Sequence, residues 1–175
     1  GLFDLGYVSF YACGAYTFAI LARDFHAGFW TCLPLGGLVA AAAGLLLGLP
    51  VLRLRGDYLA IVTLGFAQIL NRVLENWGSV TGGPSGILGL PRPSVAGVRL
   101  SQPAHFFYLL LVLVSLQVLF FRRILFSRIG RAWRAIRDDE IAAQAMGIPV
   151  APYKLLAFVI GAFWGGLGGV VFASK

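Results

Sequence analysis

The sequence predicts an all-α protein, a polytopic transmembrane helical bundle of about five spans with a short helical insert on the cytoplasmic side. Three observations predict it. The chain is 59% hydrophobic and only 12% charged, with a mean hydropathy of +0.84, which does not describe a water-soluble domain. Its apolar residues fall in runs close to the roughly 20 residues that cross a bilayer core. Its basic residues collect in short loops beside those runs, as membrane orientation signals do. The net charge of +7 therefore does not point to nucleic acid.

The first expected span is Leu2 to Ala22, apolar apart from Asp4 and small hydroxyls. It lacks a basic leader and Asp4 interrupts its start, so it does not read as a signal peptide. Arg23, Asp24 and His26 make the polar turn after it. Phe29 to Leu49 is the second span, with Trp30 where an interfacial aromatic belongs. Gly37, Ala41, Gly44 and Gly48 recur along it at helical spacing, a narrow face that lets another helix approach closely. Cys13 and Cys32 lie inside apolar runs and read as small packing residues rather than a disulfide or metal site.

Arg53 and Arg55 precede Gly56, which can turn the chain, and Asp57, which can cap the next helix. Tyr58 to Trp77 is a third expected span despite Thr63, Gln68, Asn71, Arg72, Glu75 and Asn76. Gln68, Asn71 or Arg72, and Glu75 fall on one side of such a helix, which should then face protein or a water-filled cavity. For Arg72 and Glu75, snorkelling to the interface is an equal reading. Thr63 and Gln68 lie deeper. Ser79 to Gln102 is rich in Gly and Pro, including TGGPSG at Thr81 to Gly86, and reads as an irregular connection. It is not a phosphate loop, because no Gly-Lys-Ser/Thr follows. His105, without a partner at ligand spacing, reads as an interfacial histidine.

Ala104 to Phe121 is the fourth span, and Arg122, Arg123, Arg128, Arg131, Arg134 and Arg137 follow in one short loop. That cluster places residues 122–153 in the cytoplasm. Counting back, residues 79–103 are external and residues 50–57, with Arg53 and Arg55, return to the cytoplasm. Tyr153 to Ala173 is the fifth span, with Gly161, Gly165 and Gly169 as a second small-residue face.

Between the last two spans lies SRIGRAWRAIRDDEIAAQAMGIPVAP, Ser127 to Pro152. Ile129, Trp133 and Ile136 share one helical face and the arginines occupy the others. Asp138 or Asp139 can cap a second short helix, Glu140 to Met146, which Gly147 can end, while Pro149 and Pro152 prevent its continuation. Two short helices with a bend make a compact knob exposing Ala142, Ala143 and Gly147, suited to a groove on another protein. An amphipathic helix lying on anionic lipid is disfavoured by the acidic triplet Asp138 to Glu140.

The order EIAAQAMGIPVAPYKLLAFVIGAF resembles the cytoplasmic coupling segment of ABC importer permeases, and most of all the branched-chain amino acid permeases. LGYVSFYACGAYTFAIL at Leu5 to Leu21, LRLRGDYLAIVTLGFAQI at Leu52 to Ile69 and TGGPSGI at Thr81 to Ile87 extend the resemblance over nearly the whole chain. Two departures stand out: Ile141, not Glu, directly precedes Ala-Ala, and Gln68 stands where the family often has Glu. The resemblance implies a permease domain over residues 1–175, with further spans before Gly1 and after Lys175. It also implies a coupling loop at 127–152 whose short coupling helix docks on an ATPase subunit through Arg131, Asp139, Glu140, Ala142, Ala143 and Gly147. Thr63, Gln68 and Asn71 are the candidate lining of the translocation path.

On the family's plan the partners are a second permease subunit, two ATP-binding subunits, a periplasmic or extracellular substrate-binding protein and membrane lipid, in the bacterial inner membrane. Nucleic acid, cofactors and metals are not expected, and ATP hydrolysis belongs to the partners, so the chain is not an enzyme. Branched-chain or related amino acids are the implied cargo. Urea or short-chain amides are the alternative cargo, and a non-transport structural membrane subunit is the alternative class. A membrane-embedded enzyme would need clustered acids, histidines or a nucleophile with its base, and the sequence supplies no such set.

Overall fold

A computed structural model describes residues 6–51, 57–83, 86–87, 89–90, 94–95, 98–99 and 103–175. Five long helices carry the fold: α1 (Tyr7–Asp24), α2 (Phe29–Val51), α3 (Asp57–Asn76), α5 (Pro103–Leu125) and α8 (Val150–Ala173). Shorter pieces are α4 (Gly78–Thr81), α6 (Arg128–Asp138), α7 (Glu140–Ala145) and an antiparallel pair, β1 (Ser94–Val95) with β2 (Val98–Arg99). By length and composition, three helices among the described residues can cross a membrane: Phe29–Pro50, Ala104–Leu125 and Val150–Ala173. The other two expected spans are present as helices of 18 and 20 residues, and α3 carries the polar side chains that lower its apolar character.

The core is a three-helix bundle of α1, α2 and α8. Phe10, Ala40, Leu47, Phe158 and Ala162 pack together toward one end, and Phe18, Cys32, Val170 and Val171 toward the other. That pairing makes α1 parallel to α8 and α2 antiparallel to both. Glycine makes the closeness possible. Gly14, Gly36 and Gly166, one from each helix, meet backbone to backbone, and a methyl group on Gly166 would stand 2.6 Å from the Gly36 carbonyl oxygen. In lipid, where apolar surface gains nothing by association, such close approach is what holds helices together.

The small faces read from the sequence are largely those used, with one shift. On α2, Gly37, Gly44 and Gly48 all abut α8. On α8, Gly165 and Gly169 abut α1, but Gly161 faces open space, and its neighbour Ala162 is buried against Gly44 of α2. Cys32 is buried in the second cluster and Cys13 packs at the edge of the first, both as free thiols.

Helix α3 lies on the outside of α1 and α2, with Phe66 against the first cluster and Thr63 buried. Its 20 residues rise about 30 Å, the thickness of a bilayer core. It ends where Arg23, at the last turn of α1, donates to the Val80 carbonyl of α4 at 3.3 Å. Helix α5 runs antiparallel to α8, with Leu109 and Leu113 on the second cluster and Phe120 and Phe121 against Trp164. One end of the bundle thus gathers the C-terminal ends of α2 and α5 and the start of α8. The opposite end gathers the end of α1, the start of α2, α4 and the glycines Gly82 and Gly83 that follow it.

The start of the expected connection Ser79 to Gln102 is built around Thr81, while residues 84–85, 88, 91–93, 96–97 and 100–102 lie outside the described residues. The buried Thr81 hydroxyl lies 2.6 Å from the Leu74 carbonyl oxygen and 2.9 Å from that of Trp77, and it accepts from the Gly83 N–H. It closes the last turn of α3 while Gly82, at φ +78, ends α4 in the left-handed conformation. Arg53, Arg55 and Gly56 lie outside the described residues, as does the Asp57 side chain. Pro152 stands inside the first turn of α8, where a missing N–H costs nothing, so the helix starts at Val150 rather than after the proline.

Candidate functional site

Helices α6 and α7 form the expected knob at the start of α8, and the local chemistry explains each corner. Ser127 opens α6, its hydroxyl donating to the Ile124 carbonyl at 2.6 Å. Gly130 sits so close to the end of α5 that a methyl group there would meet the backbone of Ile124 and Leu125. Arg134 donates to the Leu125 carbonyl at 3.0 Å, satisfying an acceptor that the end of α5 leaves open. Asp139 then caps α7, one carboxylate oxygen accepting from Ile141 N–H at 2.8 Å and Ala142 N–H at 3.0 Å. Gly147, at φ +82, closes it: its N–H bonds the Gln144 carbonyl and that of Ile148 bonds Ala143, a Schellman pair.

Two contacts tie the knob to α8 at adjacent residues. The Trp133 indole N–H donates to the Tyr153 carbonyl at 2.8 Å. Lys154 Nζ donates to Glu140 Oε2 at 2.7 Å, with the lysine side chain 7% exposed and the glutamate 30%. A lysine this buried is tolerable only with its counter-charge.

The structure redistributes the residues expected to meet an ATPase. Ala142 is exposed, as is Gly147, but Ala143 is 4% exposed and faces inward, because the cap and the Glu140 tether fold that side of α7 onto the bundle. Asp139 and Glu140 are engaged within the knob as cap and tether. Arg131 is exposed near the Phe126 carbonyl. The outermost groups are Ile141 and Met146, the latter 83% exposed. Ile141 was legible only as a departure from the family pattern, and Met146 not at all. Lys154 and Gly130 were missed too; a lone lysine at the head of an apolar run was the available signal for the first.

The second candidate region is a cleft of about 230 Å³ between α1 and α3, lined by Val8, Ser9, Ala12, Leu64, Gln68 and Asn71 among others. Gln68 and Asn71 come together here as expected. Thr63 does not join them: five residues before Gln68, it sits on another side of α3 and is fully buried. Ser9 replaces it, with a buried hydroxyl that has no hydrogen-bond partner. Arg72 and Glu75 pair with each other at 3.1 Å on the exposed side, consistent with the interfacial reading. His105 is half-buried at the start of α5, its Nδ1 without a partner. Among the described residues, no group of His, Cys, Asp and Glu could hold a metal ion.

A family model described as "Branched-chain amino acid transport system / permease component" matches residues 1–175. The high-affinity branched-chain amino acid transport system permease protein LivM of Escherichia coli K12 is 47% identical across 100% of this chain and 47% of its own length; that of Salmonella typhimurium LT2 gives the same figures. The autoinducer 2 import system permease protein LsrC of Enterobacter sp. 638 is 31% identical over 78% of this chain and 38% of its own. The chain thus spans about half the length of the LivM proteins it matches. No solved structure matches it significantly. The chain is a multi-pass membrane protein belonging to the permease family of branched-chain amino acid transport systems.

Proposed function

We propose that the chain is the core of a permease subunit in an ATP-driven importer of branched-chain or related amino acids in the bacterial inner membrane. It works beside a second permease subunit, two ATP-binding subunits and an external substrate-binding protein, and ATP hydrolysis belongs to the ATP-binding subunits. The observation that carries this reading is the 47% identity over the whole chain to permeases named for that transport system. The lower identity to a permease named for autoinducer 2 import indicates that related chains serve chemically different cargo, so the closer likeness is what favours amino acids.

The α6–α7 knob is the docking element, presenting Ile141, Ala142 and Met146 to an ATP-binding subunit. Residues 50–57 and 122–153 face the cytoplasm and residues 79–103 the outside. In support, the C-terminal ends of α2 and α5 and the start of α8 lie at one end of the bundle, with the α6–α7 arginines beside them, and α4 lies at the other. Closure of the ATPase pair moves the knob, and the helices joined to it alternate access to a path. The cleft that holds the uncharged polar side chains of Ser9, Gln68 and Asn71 among apolar neighbours is the candidate lining of that path.

The test is purification of the tagged full-length protein from its native host, with uptake assayed in proteoliposomes. Recovery of ATP-binding subunits and ATP-dependent leucine uptake support the proposal. Recovery with uptake of urea or acetamide instead moves the cargo to small amides. Failure to recover any ATP-binding subunit makes the chain a structural membrane subunit.

A further inference from the structure

Helix α7 joins α8 through Met146–Pro149, a bend of four residues whose pivot is Gly147 at φ +82. A covalent link of that kind transmits force poorly. It contains a glycine, no helical hydrogen bond crosses it from end to end, and an exposed tip pushed by a partner could swing about it without moving the helix behind. Across the bend, α7 itself is bonded to α8 by the side chains of Glu140 and Lys154, from the first residue of α7 to the second turn of α8, at 2.7 Å. Beside it, Trp133 of α6 bonds the carbonyl of the neighbouring residue, Tyr153, at 2.8 Å. The two arms of the knob therefore converge on adjacent residues of one transmembrane helix.

We propose that the Glu140–Lys154 ion pair is a brace across the Gly147 hinge, a positioning pair that makes α6, α7 and the start of α8 move as one lever. This rests on the functional reading above and deepens it by assigning the transmission step to two residues that are engaged with each other at the base of the knob. Charge is suited to the task. With the lysine side chain 7% exposed, letting go means leaving a buried cation without its partner, so the brace holds under load where a solvated pair would exchange with water. It also accounts for the position of Glu140. Its carboxylate is turned back to α8, while the outward side of α7 is left to Ile141 and Met146.

The experiment uses the full-length complex in proteoliposomes, comparing wild type, Lys154→Met, and the swap Glu140→Lys with Lys154→Glu. It reads ATP hydrolysed per substrate imported, alongside recovery of the ATP-binding subunits and the melting temperature. In Lys154→Met the ratio should rise about 5-fold or more, the lower end of ordinary coupling between sites, while the ATP-binding subunits are still recovered. The swap should bring the ratio back toward wild type. A wild-type ratio in Lys154→Met overturns the brace. So does a fall in melting temperature and recovery with the ratio unchanged, because that is what a merely stabilising pair would give. A wild-type complex that recovers no ATP-binding subunit overturns the functional reading itself, and the brace's role with it.

Discussion

Adding one methyl group at Gly166 tests whether the bundle is held by backbone contact. A Cβ there would lie 2.5 Å from the Ala40 Cβ, 2.6 Å from the Gly36 carbonyl oxygen and 3.1 Å from the Gly37 Cα. Unbonded carbons rest at about 3.5–4.0 Å, so α2 and α8 must part by about 1 Å. Two of the three neighbours are backbone atoms, which cannot swing aside as a side chain would. Overpacking of a tight contact costs about 1–3 kcal/mol, and this site belongs in the upper half of that range because the displacement also opens the Gly14 contact. Gly161→Ala is the matched control, on the same helix with nothing within 4 Å of the new methyl. The assay is thermal unfolding of the purified full-length protein in detergent. Gly166→Ala should melt several degrees below wild type and Gly161→Ala at or slightly above it. Equal melting of the two variants would refute the reasoning.

Three further outcomes are expected. Asp139→Ala removes the acceptor for two N–H groups at the start of α7 and should cost about 1 kcal/mol, seen as faster amide exchange at Ile141 and Ala142, with Asp139→Asn retaining most protection. Gly130→Val should break the corner between α5 and α6, where the new side chain would meet the backbone of Ile124 and Leu125, and limited proteolysis should then cut near Phe126 and Ser127. Asn71→Leu, at the exposed cleft, should leave the melting temperature within about 0.5 kcal/mol of wild type while lowering uptake in proteoliposomes; unchanged uptake would remove Asn71 from the path.

The long apolar helices were legible because crossing lipid requires long apolar runs, and α2, α5 and α8 each carry one of sufficient length. The caps were legible for a related reason: an aspartate at 138 or 139, of which the structure uses Asp139, and Gly147 do jobs that few residue types can do. What stayed hidden depends on how each helix is rotated about its own axis. Gly161 and Gly165 carry the same spacing signal, yet only Gly165 meets another helix, since packing against α1 sets the rotation of α8. Thr63 and Gln68 look alike in sequence and part company for the same reason. Ala143 was read as outward because it is small. It is inward because Glu140 is bound to a lysine 14 positions along the chain, and no local pattern announces a pairing across a hinge.

The central claim is that the tip of α7 meets an ATP-binding subunit, and a photocrosslinking residue at Met146 in the full-length protein tests it directly. Met146 is 83% exposed at the tip, and Ser79, exposed at the opposite end of the bundle, serves as control. Crosslinks from position 146 to an ATP-binding subunit, with none from position 79, are predicted. Crosslinks from 79 but not from 146, or from 146 to lipid alone, would contradict the account.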